Sequence, residues 1–347
     1  MIRRRPLLAA LACGPAAWAL PAAHLQFPAD HGAHPASRTE WWYITGHAEQ
    51  GERRFGFQVT FFRSRVAQTQ DLRSRFAAKQ LLFAHAAVTD LAGGRLLHDQ
   101  RIARAGFGIA EAAQDDGRLR LHDWTLVREG DTWHAMVPAS GFAFDLRCAA
   151  TQPVLLQGEQ GLSRKGPLPK NASYYYSQPQ LAVAGTLSVQ GRPLAVTGKA
   201  WLDHEWSDEY LPPEAVGWDW LGMNLDDGGA LTAFRLRRAD GSTLWDGGSF
   251  RNAEGALHVS LPGETEFRPQ RRWSSPLSGA NYPVEWTLRT PAGVHTVRAL
   301  MDNQELDSRS STGAIYWEGL SDLIDPQGRR VGRGYLEMTG YATRLRM

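Results

Sequence analysis

Four short segments place carboxylates beside large aromatic residues: Thr39-Glu40-Trp41-Trp42-Tyr43, Trp201-Leu202-Asp203-His204-Glu205-Trp206, Trp218-Asp219-Trp220 and Tyr316-Trp317-Glu318-Gly319. Tyr174-Tyr175-Tyr176 adds a phenolic group. A carboxyl group enclosed by aromatic rings loses hydration, which disfavours the anion, raises the pKa and leaves a proton to donate near neutrality. Such a proton can be added to a carbon–carbon double bond. The ring faces then stabilise the cation until water attacks it. The competing reading is structural, because Trp and Tyr fill barrels well and an acid beside them can accept an indole N–H or pair with arginine. Four acid-plus-tryptophan clusters in one chain weigh toward a lined internal pocket, which could also serve binding alone.

Spacing limits which of these groups can meet. In an extended strand Trp201, Asp203 and Glu205 share one face, while Leu202, His204 and Trp206 share the other. Glu40 and Trp42 point one way, Trp41 and Tyr43 the other. The His204-Glu205 pair is therefore a poor bidentate site. His85 lies in the apolar run Leu82–Val88 and reads as a satisfied core histidine, with a general base or pocket donor as its functional alternative. His24, His31 and His34 fall in an N-terminal lead expected to be exposed, so they read as solvated rather than metal-bound. The chain has no G-x-S-x-G elbow, Walker loop, H-E-x-x-H or paired C-x-x-C, so no metal is expected. Cys148 ends the alternating run Phe142–Cys148 and reads as a small buried thiol rather than a nucleophile.

The elements that would position these residues have a period of two almost throughout. Phe55, Phe57, Val59 and Phe61 alternate with small or polar residues, as in a half-buried strand. Leu119–Leu121 and Trp133–Val137 continue the pattern, and Gly185–Val189 and Leu194–Trp206 flank Gln190-Gly191-Arg192. Trp218–Leu225 and Ala230–Leu236 surround Asp226-Asp227-Gly228-Gly229, a hairpin signal. Further runs are Val259–Leu261, Val284–Leu288, His295–Leu300, Ala314–Leu320 and Gly334–Tyr341. Only Arg63–Gln80 admits a helix, the alternative being a long polar loop ending in a strand. The spacing predicts an all-β chain of two tandem antiparallel barrels.

The chain has 347 residues, enough for about two domains. Leu211-Pro212-Pro213-Glu214 breaks any strand, which places domains at 24–210 and 211–347. Leu162–Ser173 reads as an ordered loop inside the first domain, with a linker between Gly158 and Asn171 as the competing boundary. Arg3, Arg4 and Arg5 precede a short apolar stretch from Leu7 to about Ala19, a signal-peptide pattern over residues 1–23. Ala17-Trp18-Ala19 and Ala22-Ala23 are alternative cleavage zones. Arg4-Arg5 also fits a twin-arginine signal, and acylation of Cys13 would give a lipoprotein. The expectation is an exported, periplasmic protein with no transmembrane span in the mature chain. The formal charge of +2 rests on that segment; without it 35 basic residues face 36 acidic ones, leaving no basic field for nucleic acid.

Several blocks resemble the AttH/CrtC-like superfamily. They are the E-W-W-Y segment within Thr39–Tyr43, F-A-H-A-A-V-T-D at Phe83–Asp90 and A-S-Y-Y-Y-S at Ala172–Ser177. G-K-A-W-L-D-H-E-W-S at Gly198–Ser207, Y-W-E-G at Tyr316–Gly319 and R-G-Y-L-E-M-T-G-Y at Arg333–Tyr341 complete the set. The resemblance runs in the same order along nearly the whole chain after the leader. It implies two lipocalin-like barrels packed together, with a cleft for an apolar small molecule or lipid-like ligand. One branch is similar to carotenoid 1,2-hydratases, which add water to terminal polyene double bonds without a cofactor, and distant fungal relatives are pericyclases. The AttH branch is associated with ABC-transporter operons of the lipoprotein-release permease type, and the E-W-W-Y and H-E-W blocks side with it.

Carried over residue by residue, the hydratases' aromatic-x-Asp element, with Asp as proton donor, falls on Trp201-Leu202-Asp203, with Trp where Tyr is expected. Their His-x-Trp element falls near Tyr174-Tyr175-Tyr176, where both positions are Tyr. The resemblance thus implies Asp203 as candidate acid with Trp201, Tyr174 and Tyr176 around it. The remaining candidates for ligand contact are Glu40, Trp41, Trp42, Tyr43, His85, His204, Glu205, Trp206, Trp218, Trp220, Tyr316, Trp317 and Glu318. The leading expectation is an exported, cofactor-free protein that binds an apolar ligand between the two barrels and works with an ABC permease of the lipoprotein-release type. The alternative is a cofactor-free hydratase or isomerase using Asp203.

Overall fold

The computed structural model describes residues 20–345 apart from residue 210. The expected signal features at Arg3–Arg5, Cys13 and Ala17–Ala19 lie outside the described residues. Helix among the described residues is limited to two 3-10 turns, Ala29–His31 and Ala67–Thr69. None is long and apolar enough to cross a membrane. Arg63–Gln80 is the loop alternative: the Arg53–Arg65 strand runs out, a 3-10 turn follows, and the next strand starts at Gln80.

All strand pairs are antiparallel and fall into two large sheets, of 13 and 10 strands, with a separate two-stranded pair. The first spans Thr39–Ser207 and the second Gly217–Met338. In the first, the strand Thr39–Gln50 lies between Arg53–Arg65 and Arg192–Ser207, and the latter pairs onward with Ala172–Val189. The sheet curls until Arg118–Leu121 meets Gln80–Asp90 and Arg95–Arg104, a nearly closed, lipocalin-like barrel. The Ala172–Val189/Arg192–Ser207 hairpin turns at Gln190 and Gly191, with φ of 53° and 75°. That left-handed pair matches the twist of the strands and costs glycine little.

Alternation sorts the side chains as period two dictates. Trp42, Ile44, Phe57, Val59, Leu202 and Trp206 fill the first barrel. Leu221, Met223, Trp286, Trp317, Leu336 and Met338 fill the second. The intervening residues of the same strands form a third cluster in which the outer faces of the two sheets meet, including Tyr43, Trp201, Trp220, Phe234, Leu320 and Tyr335. Gly56 permits this approach, since a Cβ there would stand 2.6 Å from the Tyr335 hydroxyl. A register shift between Gln178 and Leu181 adds a pin. It frees the Gln180 side-chain amide to donate to the Leu225 and Gly229 carbonyls at 2.9 and 2.7 Å.

Candidate active site between the barrels

Where the outer faces do not quite touch, they enclose a cavity of about 550 Å3, within the range of small-molecule sites. The free volume lies between the barrels, where a cleft for an apolar ligand was expected, while large side chains such as Trp42, Phe57, Trp286 and Trp317 fill the inner faces. Of the sequence candidates, Trp41, Tyr43, His85, Asp203, Glu205, Trp218, Trp220, Tyr316 and Glu318 line it. Phe62, Lys165, Tyr175, Phe234 and Glu337 line it as well, and had not been singled out.

Asp203 is 3% exposed. Its Oδ2 accepts from the Tyr175 hydroxyl at 2.8 Å, and its Oδ1 from Ser177 Oγ at 2.5 Å and Trp201 Nε1 at 2.7 Å. These neutral donors favour the anion, yet burial outweighs them and pushes the Asp203 carboxyl up to about 7. Trp220 Nε1 donates to the Tyr175 hydroxyl at 3.2 Å, completing a chain from wall to acid. Trp201 does not line the cavity itself; it holds Asp203 from behind.

Tyr174 and Tyr176 do not join this site. Register pairs Tyr176 with His204 and Tyr174 with Trp206, so both take the face opposite Asp203, while Ser177 pairs with Asp203 and Tyr175 with Glu205. Tyr175 is the tyrosine that reaches the acid. The alternation that separates Asp203 from His204 separates these tyrosines too.

Glu318 and Glu337 are direct cross-strand partners on the second sheet. Burial, and then the neighbouring Glu337 charge, drive Glu318 well above the usual carboxylate range. Burial also raises Glu337 to about 7, with Asp203 and Glu205 adding to the rise and a Trp218 hydrogen bond opposing it. The Tyr43 hydroxyl and the Glu318 carboxyl are each other's polar neighbours, and that hydrogen bond opposes the Glu318 rise without cancelling it. Glu205 differs, because Lys165 Nζ lies 3.0 Å from its Oε1. The same ammonium sits 4.7 Å from the Tyr175 ring centroid and 4.3 Å from that of Phe234.

At the far wall His85 spans the two sheets. Its Nδ1 is 2.9 Å from the Tyr316 hydroxyl and its Nε2 2.8 Å from Ser311 Oγ. Burial pushes its imidazole down to about 3, so the ring is neutral.

The other sequence candidates form a second network inside the first barrel. Glu40 Oε1 meets His34 Nδ1 at 2.7 Å and His204 Nε2 at 2.9 Å, and Glu40 Oε2 accepts from Arg63 Nε at 2.7 Å. Burial opposes ionisation of Glu40, but the histidine bonds and the Arg63 charge win and hold it well below the carboxylate range. His34 is raised, since the bonds to Asp30 and Glu40 overcome its burial, whereas burial lowers His204. Trp42 and Trp206 stack on His204 and His34, at 4.5 and 3.7 Å between centroids. The reading of His31 and His34 as solvated is corrected: His31 is buried and His34 half-buried, because the lead folds over the barrel end, where Trp42 Nε1 donates to the His31 carbonyl and Arg63 to that of His34. Trp317 points into the second barrel and donates to the Asp302 carbonyl at 2.7 Å.

His34, Glu40 and His204 are also the set of three potential metal ligands among the described residues. The donor set fits an ion-pair network better than a cation site. Both imidazoles are hydrogen-bonded to one carboxylate oxygen and a guanidinium occupies the other.

Fold and site together define a two-barrel, lipocalin-like protein with an acid-bearing apolar cavity between the barrels. Residues 19–341 match the AttH-like family, to which the chain belongs. The crystal structure of an AttH protein from Nitrosomonas europaea is similar at 46% identity, covering 93% of this chain and 99% of that one, with a TM-score of 0.87. The fold is shared with kievitone hydratase from Nectria haematococca, at 16% identity, 92% and 93% coverage and a TM-score of 0.72. CghA bound to Sch210972 is also similar, at 14% identity, 90% and 89% coverage and a TM-score of 0.51. No curated protein matches the chain.

Proposed function

We propose that the protein is a cofactor-free lyase or isomerase acting on an apolar, alkene-bearing ligand held between its barrels. The observation that carries this reading is Asp203: buried, raised to about 7, and bonded to Tyr175, Ser177 and Trp201 while lining an aromatic cavity. In this reading Asp203 gives its proton to one alkene carbon, and the positive charge left on the other is stabilised by the rings of Trp218, Trp220 and Phe234. A water then bonds to that carbon, and its surplus proton returns to the Asp203 carboxylate, directly or by way of the Glu318–Glu337 pair, which regenerates the acid. Loss of a different proton from the cation would give isomerisation.

A second reading is carriage of the ligand without turnover, in partnership with an ABC permease. It draws on Tyr174 and Tyr176, which stand where the hydratase pattern has His and Trp and turn away from Asp203. Both readings take the protein as exported to the periplasm, a proposal supported by the N-terminal arginines and the apolar run that follows them.

The deciding experiment presents prenylated and polyene probes to the protein in 18O-labelled water and follows the products by mass spectrometry. Turnover that falls about 100-fold or more in Asp203→Asn, with probe affinity retained, supports the enzyme. Probe binding without turnover in the wild type supports the carrier.

A further inference from the structure

The loop 66–79 and the neighbouring turn around Phe107 carry an exposed apolar surface edged with arginine. Phe76 is 68% exposed, Leu72 50% and Phe107 47%. Phe76 and Phe107 stack at 5.7 Å between centroids. The Arg104 guanidinium lies 4.1 Å from the Phe107 centroid, and that of Arg75 lies 5.6 Å from it. The display is fixed rather than accidental. Thr69 Oγ1 donates to the Ala78 carbonyl and Gln70 Nε2 to that of Lys79, both at 2.8 Å, while Arg104 donates to the Phe76 carbonyl at 3.0 Å.

The start of the same loop borders the cavity, since Val66, Ala67 and Gln68 line it. Phe62, Phe83 and Ile102 are register partners across three adjacent strands, on the face that carries the cavity. Phe62 and Phe83 stack at 4.8 Å, and Ile102 at the end of the row is exposed. Arg65 and Ile102 line the cavity on this side. The row thus leads from the acid-bearing interior to exposed Ile102, two residues along the same strand from Arg104, whose guanidinium lies over the Phe76 and Phe107 rings.

We infer that this face docks on an anionic lipid surface and that the apolar ligand passes between bilayer and cavity along the Phe62–Phe83–Ile102 row. The aromatic tips would enter the headgroup boundary. Arg73, Arg75 and Arg104, which outnumber Asp71 on the tip, supply the charge complementarity. Docking stands apart from the cavity chemistry; only the passage of ligand rests on the function proposed above.

The test is co-sedimentation of the purified chain with vesicles of phosphatidylcholine alone or with about 30 mol % phosphatidylglycerol. The expected result is binding to anionic vesicles about tenfold stronger than to neutral ones, weakening as salt rises. Phe76→Ser with Phe107→Ser should lower it about tenfold, and Arg75→Glu with Arg104→Glu should abolish the anionic preference. Asp203→Asn should bind vesicles as the wild type does, so that loss of chemistry and loss of docking are told apart. Melting curves and tryptophan emission establish that the variants are folded. Absence of vesicle binding by the wild type, equal binding by folded surface variants, or self-association through Phe76 in place of lipid binding would overturn the inference.

Discussion

Glu318 and Glu337 stand directly opposite one another on adjacent strands of the second barrel, and both side chains line the cavity. Opposed carboxylates in a buried site cannot both ionise near neutrality, so the pair holds a proton between them. Glu337→Gln removes the second-largest cause of the Glu318 rise but leaves burial, the largest. Glu318 is therefore expected to titrate lower in that variant while staying above 4.5, its ordinary value. Carboxyl-selective NMR titration of the two proteins measures the change.

Asp203 links function to stability. Its folded pKa is about 7 against 3.8 when unperturbed, so folding favours the protonated acid. The associated stability is fully present below about 3.8 and is lost as pH rises through about 7. Asp203→Asn removes this dependence while keeping a neutral group of the same shape. Denaturant unfolding at several pH values should show the wild type losing up to about 4 kcal/mol relative to the variant between these limits.

Tyr175→Phe deletes one of the donors to Asp203 and leaves Ser177 and Trp201. With less support for the anion, the Asp203 midpoint should move up by about one unit. Tyr176→Phe, on the opposite face, should leave that midpoint in place. The pH dependence of any turnover, or direct titration, reads both.

The Glu40 network predicts the opposite pattern. Glu40→Gln leaves Arg63 buried without its carboxylate, a loss of about 3–5 kcal/mol. The affinity of the cavity for an apolar fluorescent probe should be unchanged at temperatures where the variant is folded, because Glu40 faces into the first barrel. Chemical unfolding and probe titration separate the two effects.

Alternation alone separated Trp201, Asp203 and Glu205 from Leu202, His204 and Trp206, and the same rule held for Trp41 and Tyr43 against Glu40 and Trp42. The all-β, lipocalin-like architecture was legible for the same reason. Which face would border free space was not, because it depends on how the outer surfaces of two barrels dock, and no local pattern encodes that. Tyr175 stood out only as part of the tyrosine triplet, because its nearness to Asp203 follows from cross-strand register. Glu337 sits in Gly334–Tyr341 with no tryptophan beside it in sequence, so the acid-plus-Trp pattern passed over it. Its partner in space, Trp218, comes from another cluster. The polar lead misdirected the reading of His31 and His34, whose burial depends on Trp42 and Arg63.

The most direct measurement of the central claim is an infrared titration of the carboxyl stretch in wild type, Asp203→Asn and Glu318→Gln. The expected result is a band from a protonated, buried carboxyl persisting at neutral pH. Asp203 and Glu337 should both titrate near 7, so the component there should shrink by one carboxyl in Asp203→Asn, and a further component of higher pKa should vanish in Glu318→Gln. A wild-type spectrum with every carboxyl ionised by pH 6, or one that Asp203→Asn leaves unchanged, would contradict the assignment of Asp203 as the proton donor of the cavity.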